Sequence, residues 1–330
     1  MKKNIVILAT GGTIAGTASC SEETLSYTSA VLSIEKMICE IPALQQIAQV
    51  HGEQIAQVDS SDMTHTIWLT LASRANELLS MDSVDGLVIT HGTDTLEETA
   101  YFLNLVIKSL KPVVLVGAMR PATAMSTDGP RNLYDGVVLA ASEQAYGSGV
   151  LVCLNDTINY SRDVTKTNTS LQDTFKAPEL GYLGYIQGSI PYFYRYPARK
   201  HTLHTEFDVT GITTLPHTDI IYSYVGSSAA VAEAAVASGA KGLVYAGLGN
   251  GGMPEEIKLR LAALAKQGIV IVRSSRVSSG IVTRNGAVED DLYGFVAADS
   301  LNPQKARVLL MLALTKTNRQ EEIQKMFWAY

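Results

Sequence analysis

Two threonines stand in glycine-flanked turns, each directly after a short, strongly apolar run. The first run and its turn have the sequence IVILATGGTIAG, residues 5–16. The second run and its turn have the sequence GLVITHGTDT, residues 86–95. An apolar run with β-branched residues that is closed by glycine is typical of a buried strand ending in a tight loop. In a parallel sheet the carboxyl ends of neighbouring strands line one crevice, where ligands bind. We therefore expect Thr13 and Thr93 to face each other across one pocket.

Strand-like and helix-like segments alternate along most of the chain, which predicts an α/β fold with parallel sheets covered on both faces. A tyrosine-rich segment at 182–197 predicts an antiparallel hairpin instead. Asp94 is the expected N-cap of the helix predicted at 96–110. The predicted organisation is a larger N-terminal domain with a flavodoxin-like parallel sheet (1–194), a linker (195–216) and a smaller C-terminal parallel-sheet domain (217–330). The periodicity predicts strands at 5–10, 86–90, 112–116, 150–154, 219–224, 242–246 and 269–273, and helices at 33–39, 67–79, 96–110, 129–141, 228–238, 255–266 and 303–314.

Composition narrows the classes of partner. The 330 residues are 46% hydrophobic and carry a net charge of −6, which argues against a nucleic acid or an anionic membrane as the main partner. The three cysteines lie far apart, and the pair His201 and His204 lacks a third ligand, so we expect neither a disulfide framework nor a metal site. No apolar run approaches the ~20 residues of a membrane span. We expect a cytoplasmic protein as written, or a periplasmic one if a signal peptide was removed.

The glycine spacing excludes two familiar ligand loops. Residues 11–16 do not read G-x-G-x-x-G, and no lysine follows the last glycine, which disfavours a dinucleotide-binding dehydrogenase and a phosphate loop. The structural alternative is that both loops are simple turns, with Asp94 or Thr95 capping a helix.

A threonine hydroxyl needs activation before it can act as a nucleophile, because its pKa lies far above neutrality. Lys166 follows the strand at 150–154, and if desolvated against Thr93 and Asp94 it could exchange protons with them. Tyr27 lies in a polar stretch, 19–29, that suits either a lid over the substrate or an exposed loop. His91 stands at a strand end, where we expect it to orient the loop rather than act as a base.

Taken together, these motifs resemble the bacterial type II L-asparaginases. The signatures ATGGTIAG at 9–16 and ITHGTDTLEET at 89–99 correspond to two motifs of that family, and five further segments match in order, so the resemblance covers essentially the whole chain. It implies hydrolysis of L-asparagine to L-aspartate and ammonia without a metal or organic cofactor. It also implies a homotetramer whose active sites lie at subunit contacts.

The resemblance also implies roles for individual residues. Thr13 resembles the primary nucleophile and Tyr27 the lid residue beside it. Thr93, Asp94 and Lys166 resemble the second catalytic cluster, in which Thr93 polarises the amide or activates water. The implied substrate-binding residues are Gly12, Ser60 (for the α-carboxylate), Ser61, Gly92, Thr93, Asp94 (for the α-ammonium group), Ala118 (through its carbonyl, for the leaving amide), Asn250 (from a neighbouring subunit) and Glu289.

Two positions depart from the family pattern. Ser61 stands where members often carry Gln or Glu, and the family's inter-subunit glutamate falls on Ala287, two residues before Glu289. Both family side chains contact the substrate ammonium, so we expect weaker binding, or a substitute role for Glu289, and poor activity on glutamine. A glutaminase-asparaginase of broad specificity and a non-catalytic amino-acid sensor on the same fold remain alternatives. The base for Thr13 stays open between Tyr27, a water and the Lys166 cluster.

Overall fold

The computed structural model describes residues 2–330, which form two compact units. The first ends at Thr213, and the second comprises Thr214–Tyr330. No helix within residues 2–330 combines the length and apolar character that a bilayer crossing requires.

The first unit is built on a mixed sheet. Its strands are β1 (Asn4–Gly11), β2 (Gln49–Val58), β3 (Gly86–Thr90), β4 (Val113–Val116), β5 (Val150–Leu154), β6 (Thr157–Tyr160), β7 (Thr165–Lys166), β8 (Phe175–Lys176), β9 (Gly184–Gln187) and β10 (Ile190–Phe193). Its helices are α1 (Ile34–Cys39), α2 (Leu44–Ile47), α3 (His65–Ser80), α4 (Leu96–Val106) and α5 (Gly129–Ala140).

The order of these strands creates a crevice. Among the described residues the main sheet runs β10-β9-β6-β5-β4-β3-β1-β2, in which β2, β1, β3, β4 and β5 are parallel. The order 2-1-3-4-5 is the flavodoxin-like order, and it places a switch point between β1 and β3. The fold prediction is therefore confirmed, and the predicted hairpin is β9–β10, which joins the sheet edge in antiparallel fashion.

Burial on both faces explains why the parallel strands read as continuous apolar runs. Ile5 and Ile7 of β1 share a core cluster with Leu133 and Val137 of α5. Leu8, the next residue along the strand, is also fully buried. A strand covered on both faces loses the alternation of apolar and polar residues that a half-exposed strand shows.

The second unit carries a smaller, all-parallel sheet in the order β11-β12-β13-β14 among the described residues. The strands are β11 (Thr218–Tyr222), β12 (Gly242–Gly247), β13 (Val270–Ser275) and β14 (Phe295–Ala297). The helices are α6 (Ala230–Ala237), α7 (Glu255–Lys266), α8 (Asp290–Tyr293), α9 (Pro303–Ala313) and α10 (Gln320–Ala329).

Two predictions around α4 are wrong in detail. The helix ends at Val106 rather than at residue 110, because Asn76 of α3 donates to the carbonyl of Val106 (3.1 Å) and accepts from the N–H of Lys108 (2.7 Å). Asp94 is not the N-cap. Thr95 holds that position without a side-chain capping bond, and the Asp94 carboxylate is bound elsewhere.

Candidate active site

The two predicted turns meet backbone to backbone. A methyl group placed on Gly12 would lie 2.2 Å from the Cα of Gly92, and Gly12 adopts a φ of +80°, so only glycine fits there. Thr13 and Thr93 each directly follow one of these glycines. Because consecutive Cα atoms are 3.8 Å apart, the Cα atoms of the two threonines lie within about 11 Å of each other.

The first threonine is paired with Tyr27 of the predicted lid. Thr13 lies in a turn of 3-10 helix directly after β1, is only 6% exposed, and its Oγ1 lies 2.7 Å from the hydroxyl of Tyr27. The segment that carries Tyr27 is closed at its base by reciprocal 2.9 Å backbone bonds between Thr17 and Thr28. Residues 19–29 are exposed or partly exposed, and within this segment Tyr27 contacts Thr13.

The second threonine is held by an ammonium group. Lys166 Nζ donates to Thr93 Oγ1 at 2.9 Å and to Asp94 Oδ1 at 2.6 Å. The lysine side chain is 17% exposed, whereas Asp94 is 62% exposed, so the charge pair lies at a rim with the lysine on its inner side. The short β7–β8 ladder presents Lys166, with Phe175 as its partner.

Glu97 is a residue of this cluster that the sequence did not indicate. Its carboxylate accepts the backbone N–H of Lys166 at 2.9 Å, and the residue is 5% exposed. In the sequence, Glu97 is an acidic residue in the first turn of α4, where a favourable interaction with the helix dipole already explains it. Only the three-dimensional approach of β7 shows that it also positions the lysine.

The loop after β2 joins the cluster from the other side. Ser60 Oγ accepts the backbone N–H of Asp94 at 3.2 Å, and the hydroxyl of Thr95 donates to the carbonyl of Ser60 at 2.8 Å. A methyl group on Gly92 would lie 2.7 Å from Ser60 Oγ, so this serine is in direct contact with the second turn. The next residue, Ser61, is exposed, and its N–H and hydroxyl both donate to Asp59 Oδ1, at 2.9 and 2.8 Å.

The loop after β4 packs against the first turn. Ala118 is fully buried, and a methyl group on Gly129 would lie 3.1 Å from Ile14 Cγ1 and 3.5 Å from Ala118 Cβ. Asp128 fixes the loop by accepting the N–H groups of Met119 and Arg120. The first unit thus brings the Ala118 loop beside the turn that carries Thr13.

His91 is a neutral, structural residue. Its Nδ1 lies 2.7 Å from the carbonyl oxygen of Gly92, which can only accept, so Nδ1 carries the proton. Its Nε2 then accepts from the hydroxyl of Thr99, which itself accepts the indole N–H of Trp68. Burial lowers the pKa of His91 to about 4, and the bond to Gly92 opposes that effect only in part. The geometry supports the orienting role and leaves this imidazole no function as a base.

Asn250 and Glu289 belong to the second unit. The side-chain amide of Asn250 donates to Thr283 Oγ1 at 2.7 Å, and its Oδ1 accepts the backbone N–H of Thr283 at 2.9 Å. The backbone carbonyl of Asn250 accepts from Arg273. Arg273 and Asp290 form an ion pair that is fully buried. Glu289 is exposed and directly precedes α8.

Within residues 2–330, no group of three or more His, Cys, Asp or Glu side chains is placed to hold a metal ion. His201 is buried, and its Nδ1 lies 3.0 Å from Thr202 Oγ1.

Chemically, the first unit presents a buried hydroxyl paired with a phenol, beside a second hydroxyl paired with an ammonium group. This arrangement suits attack on a carbonyl carbon followed by proton transfer. The exposed carboxylate of Asp94 and the buried hydroxyl of Ser60 suit the polar groups of an amino acid.

Comparisons with known proteins identify the family of the chain. Residues 4–199 match the family model described as "Asparaginase, N-terminal", and residues 217–327 match "Glutaminase/Asparaginase C-terminal domain". A probable cytoplasmic L-asparaginase from Campylobacter jejuni has a similar crystal structure, with a TM-score of 0.97 and 48% identity over 100% of both chains.

Curated relatives cover nearly the full chain. The protein named L-asparaginase 2 of Bacillus subtilis is 51% identical over 99% of this chain and 86% of its own length. L-asparaginase 2 of Escherichia coli is 50% identical over 99% of this chain and 93% of its own length. The glutaminase-asparaginase of Pseudomonas fluorescens is 48% identical, over 99% of this chain and 90% of that protein.

Proposed function

Because the chain belongs to the asparaginase and glutaminase family, we propose that it hydrolyses L-asparagine to L-aspartate and ammonia through a threonine ester. The observation that carries the proposal is the contact between Gly12 and Gly92, which sets the Thr13–Tyr27 pair beside the Thr93–Lys166 pair. Two activated hydroxyls at one switch point suit acyl transfer from an amide. A cofactor has no part in these steps.

In the proposed first half-reaction, Thr13 Oγ1 attacks the side-chain carboxamide carbon. The backbone N–H of Thr93 stabilises the oxyanion, and one such donor is typically worth ~2.7–4 kcal/mol. The C–N bond then breaks, the leaving nitrogen takes a proton, and ammonia departs. The base that deprotonates Thr13 is Tyr27, a water or the Lys166 cluster, and the hydroxyl of Tyr27 lies 2.7 Å from Thr13 Oγ1.

In the second half-reaction, water attacks the aspartyl ester and regenerates the Thr13 hydroxyl. We assign to Lys166 and Asp94 the proton transfers around Thr93, because the ammonium group of Lys166 contacts both. Ser60 binds the α-carboxylate and Asp94 binds the α-ammonium group. The backbone of Gly12 and Gly92 contacts the substrate between these two groups. The carbonyl of Ala118 receives the leaving amide.

We further propose a homotetramer in which Asn250 and Glu289 reach the active site of a neighbouring subunit. This assignment rests on the family resemblance of the sequence around both residues. Sedimentation equilibrium tests it, with a mass of four chains expected and a monomer as the contradicting result.

Some relatives are named glutaminase-asparaginase, so the activity on L-asparagine must also be compared with the activity on L-glutamine. We expect L-asparagine to be preferred, because Ser61 and Ala287 lack the longer polar side chains that would hold the ammonium group of a more extended substrate.

The experiment is ammonia release from both amides, from micromolar to millimolar concentrations. Turnover of L-asparagine that Thr13→Ala abolishes without unfolding the protein supports the proposal. Thr70→Ala, on the exposed side of α3, is the matched control and should keep full activity. No turnover of either amide by the unmodified protein would favour the sensor alternative, and a glutamine KM as low as that for asparagine would favour broad specificity.

A further inference from the structure

A carboxylate outside the assigned site stands beside the residue that binds the substrate carboxylate. Asp59 directly precedes Ser60 and follows Val58, whose carbonyl accepts the N–H of Gly12 at 2.9 Å. The end of β2 therefore lies against the nucleophile turn on one side and, through Ser60 and Asp94, against the Lys166 cluster on the other. No motif in the sequence marks this aspartate.

The orientation of Asp59 is fixed by its neighbours. Its Oδ1 accepts both the N–H and the hydroxyl of Ser61, at 2.9 and 2.8 Å, and the hydroxyl of Ser29, at the foot of the lid, also binds this carboxylate. A carboxylate oxygen thus lies 2.8 Å from Ser61 Oγ, the atom from which a longer side chain would extend in relatives that carry Gln or Glu at this position.

The charges of the Lys166 cluster give Asp59 a role. Lys166 and Asp94 form an ion pair at 2.6 Å, so together they carry no net charge. Asp94 thus shares its charge between Lys166 and an incoming ammonium group, and the other carboxylate of the cluster, Glu97, is 5% exposed and accepts the backbone N–H of Lys166. A further negative group strengthens the binding of the ammonium, because transfer of a charge out of water is costly unless it is paired. Ser61 is uncharged, and its only hydroxyl proton is donated to Asp59.

Asp59 is ionised at neutral pH. Burial raises its pKa, but hydrogen bonds from Ser29 and Ser61 and the charge of Lys166 outweigh burial, so its pKa lies below the usual value. The negative charge is therefore present where the substrate arrives.

We propose that Asp59, held by Ser61, binds the α-ammonium group of the substrate together with Asp94 and so selects amino-acid amides over amides that lack the amine. The proposal rests on the proposed function. In this protein the ammonium contact that family members make at the position of Ser61 is then made by Asp59, two residues earlier.

The test compares two ligands that differ only in the amine, L-aspartate and succinate, as competitive inhibitors and by calorimetry. Asp59→Asn keeps an oxygen that accepts both Ser61 bonds but removes the charge. The inhibition constant of L-aspartate should rise ~10- to 100-fold, the range of a hydrogen bond to a charged group, while that of succinate stays within threefold. KM for L-asparagine should rise by a similar factor.

Asp62→Asn removes the same charge from an exposed position on the same loop and should leave both constants unchanged. Equal losses for both ligands in Asp59→Asn would show a purely structural role through the lid, and no loss for either would remove Asp59 from the site. Both results overturn the proposal. Calorimetry reads ligand binding directly, so absent turnover in the unmodified protein would count against the proposed function alone.

Discussion

Replacing Lys166 with methionine tests the second catalytic cluster. Methionine has nearly the length of lysine but no charge and no donor, so Lys166→Met removes the 2.9 Å bond to Thr93 and the 2.6 Å bond to Asp94 and leaves the packing largely intact. The β7–β8 ladder and the bond from the backbone of Lys166 to Glu97 do not depend on the side chain.

The magnitude follows from the exposure of the two partners. The bond to the nearly buried Thr93 (4% exposed) is charge-assisted, a class worth ~1.5–3 kcal/mol, which is a factor of about 10–150 in rate. Loss of proton transfer adds to this, since a positioned acid or base contributes ~10²–10⁴. The pair with Asp94, which is 62% exposed, is screened by water and contributes no more than about 1 kcal/mol to folding.

We therefore expect kcat for L-asparagine to fall at least about 100-fold, with the melting temperature lowered by no more than about 4 °C. Ammonia release and thermal unfolding measure the two quantities. Lys176→Met is the matched control, because Lys176 lies on the neighbouring strand β8 and pairs with the exposed Asp173. A kcat within threefold of the unmodified enzyme would refute the role of Lys166.

Three further predictions concern substrate preference, the turn contact and pH. Ser61→Gln restores the longer side chain and should lower KM for glutamine, and an unchanged KM in amide kinetics would separate Ser61 from substrate recognition. Gly12→Ala should abolish activity and lower the melting temperature, since its methyl would overlap Gly92; a stable, active variant would contradict the backbone contact. The pKa of His91 lies near 4 in the folded protein, below 6.5 in the unfolded chain, so its contribution of about 3 kcal/mol is present above pH 6.5 and lost as pH falls towards 4. Burial raises the pKa of Asp135 to about 6, so its contribution is instead lost as pH rises from 3.8 through 6. Urea unfolding of Asp135→Asn should therefore show a gain of up to about 3 kcal/mol at pH 8 and little at pH 4, and a uniform shift would contradict this assignment.

The approach of the two turns is predictable because parallel strands end at the same edge of a sheet. The apolar runs of β1 and β3 locate their own carboxyl ends, and the glycines after them mark the turns, so Thr13 and Thr93 could be placed together before their contacts were known. Because both faces of these strands are buried, they appear in the sequence as continuous apolar runs.

Strand β2 was not predicted, and the reason is its position at the sheet edge. All but one of its residues are exposed or partly exposed, and its sequence, QVHGEQIAQV, has neither a continuous apolar run nor a clean alternation. Because β2 was missed, the significance of Asp59 at its end was missed as well.

The remaining errors reflect tertiary contacts that local patterns do not contain. Asp94 looked like a helix cap, since a carboxylate before a helix usually is one, but Lys166 arrives from 72 residues away and binds it. Glu97 and Asn76 likewise act on segments that are distant in the chain.

The proposed reaction requires Thr13 and Thr93 to act on one carboxamide, and a double-mutant cycle tests this most directly. Ammonia release from L-asparagine is measured for Thr13→Ala, Thr93→Val and the double variant, each checked for an unchanged fold. Groups that act as a unit give grossly non-additive losses. We predict that either single variant loses nearly all the activity that the double variant loses. Losses that multiply, or near-normal turnover in either single variant, would show that the two hydroxyls do not serve one reaction.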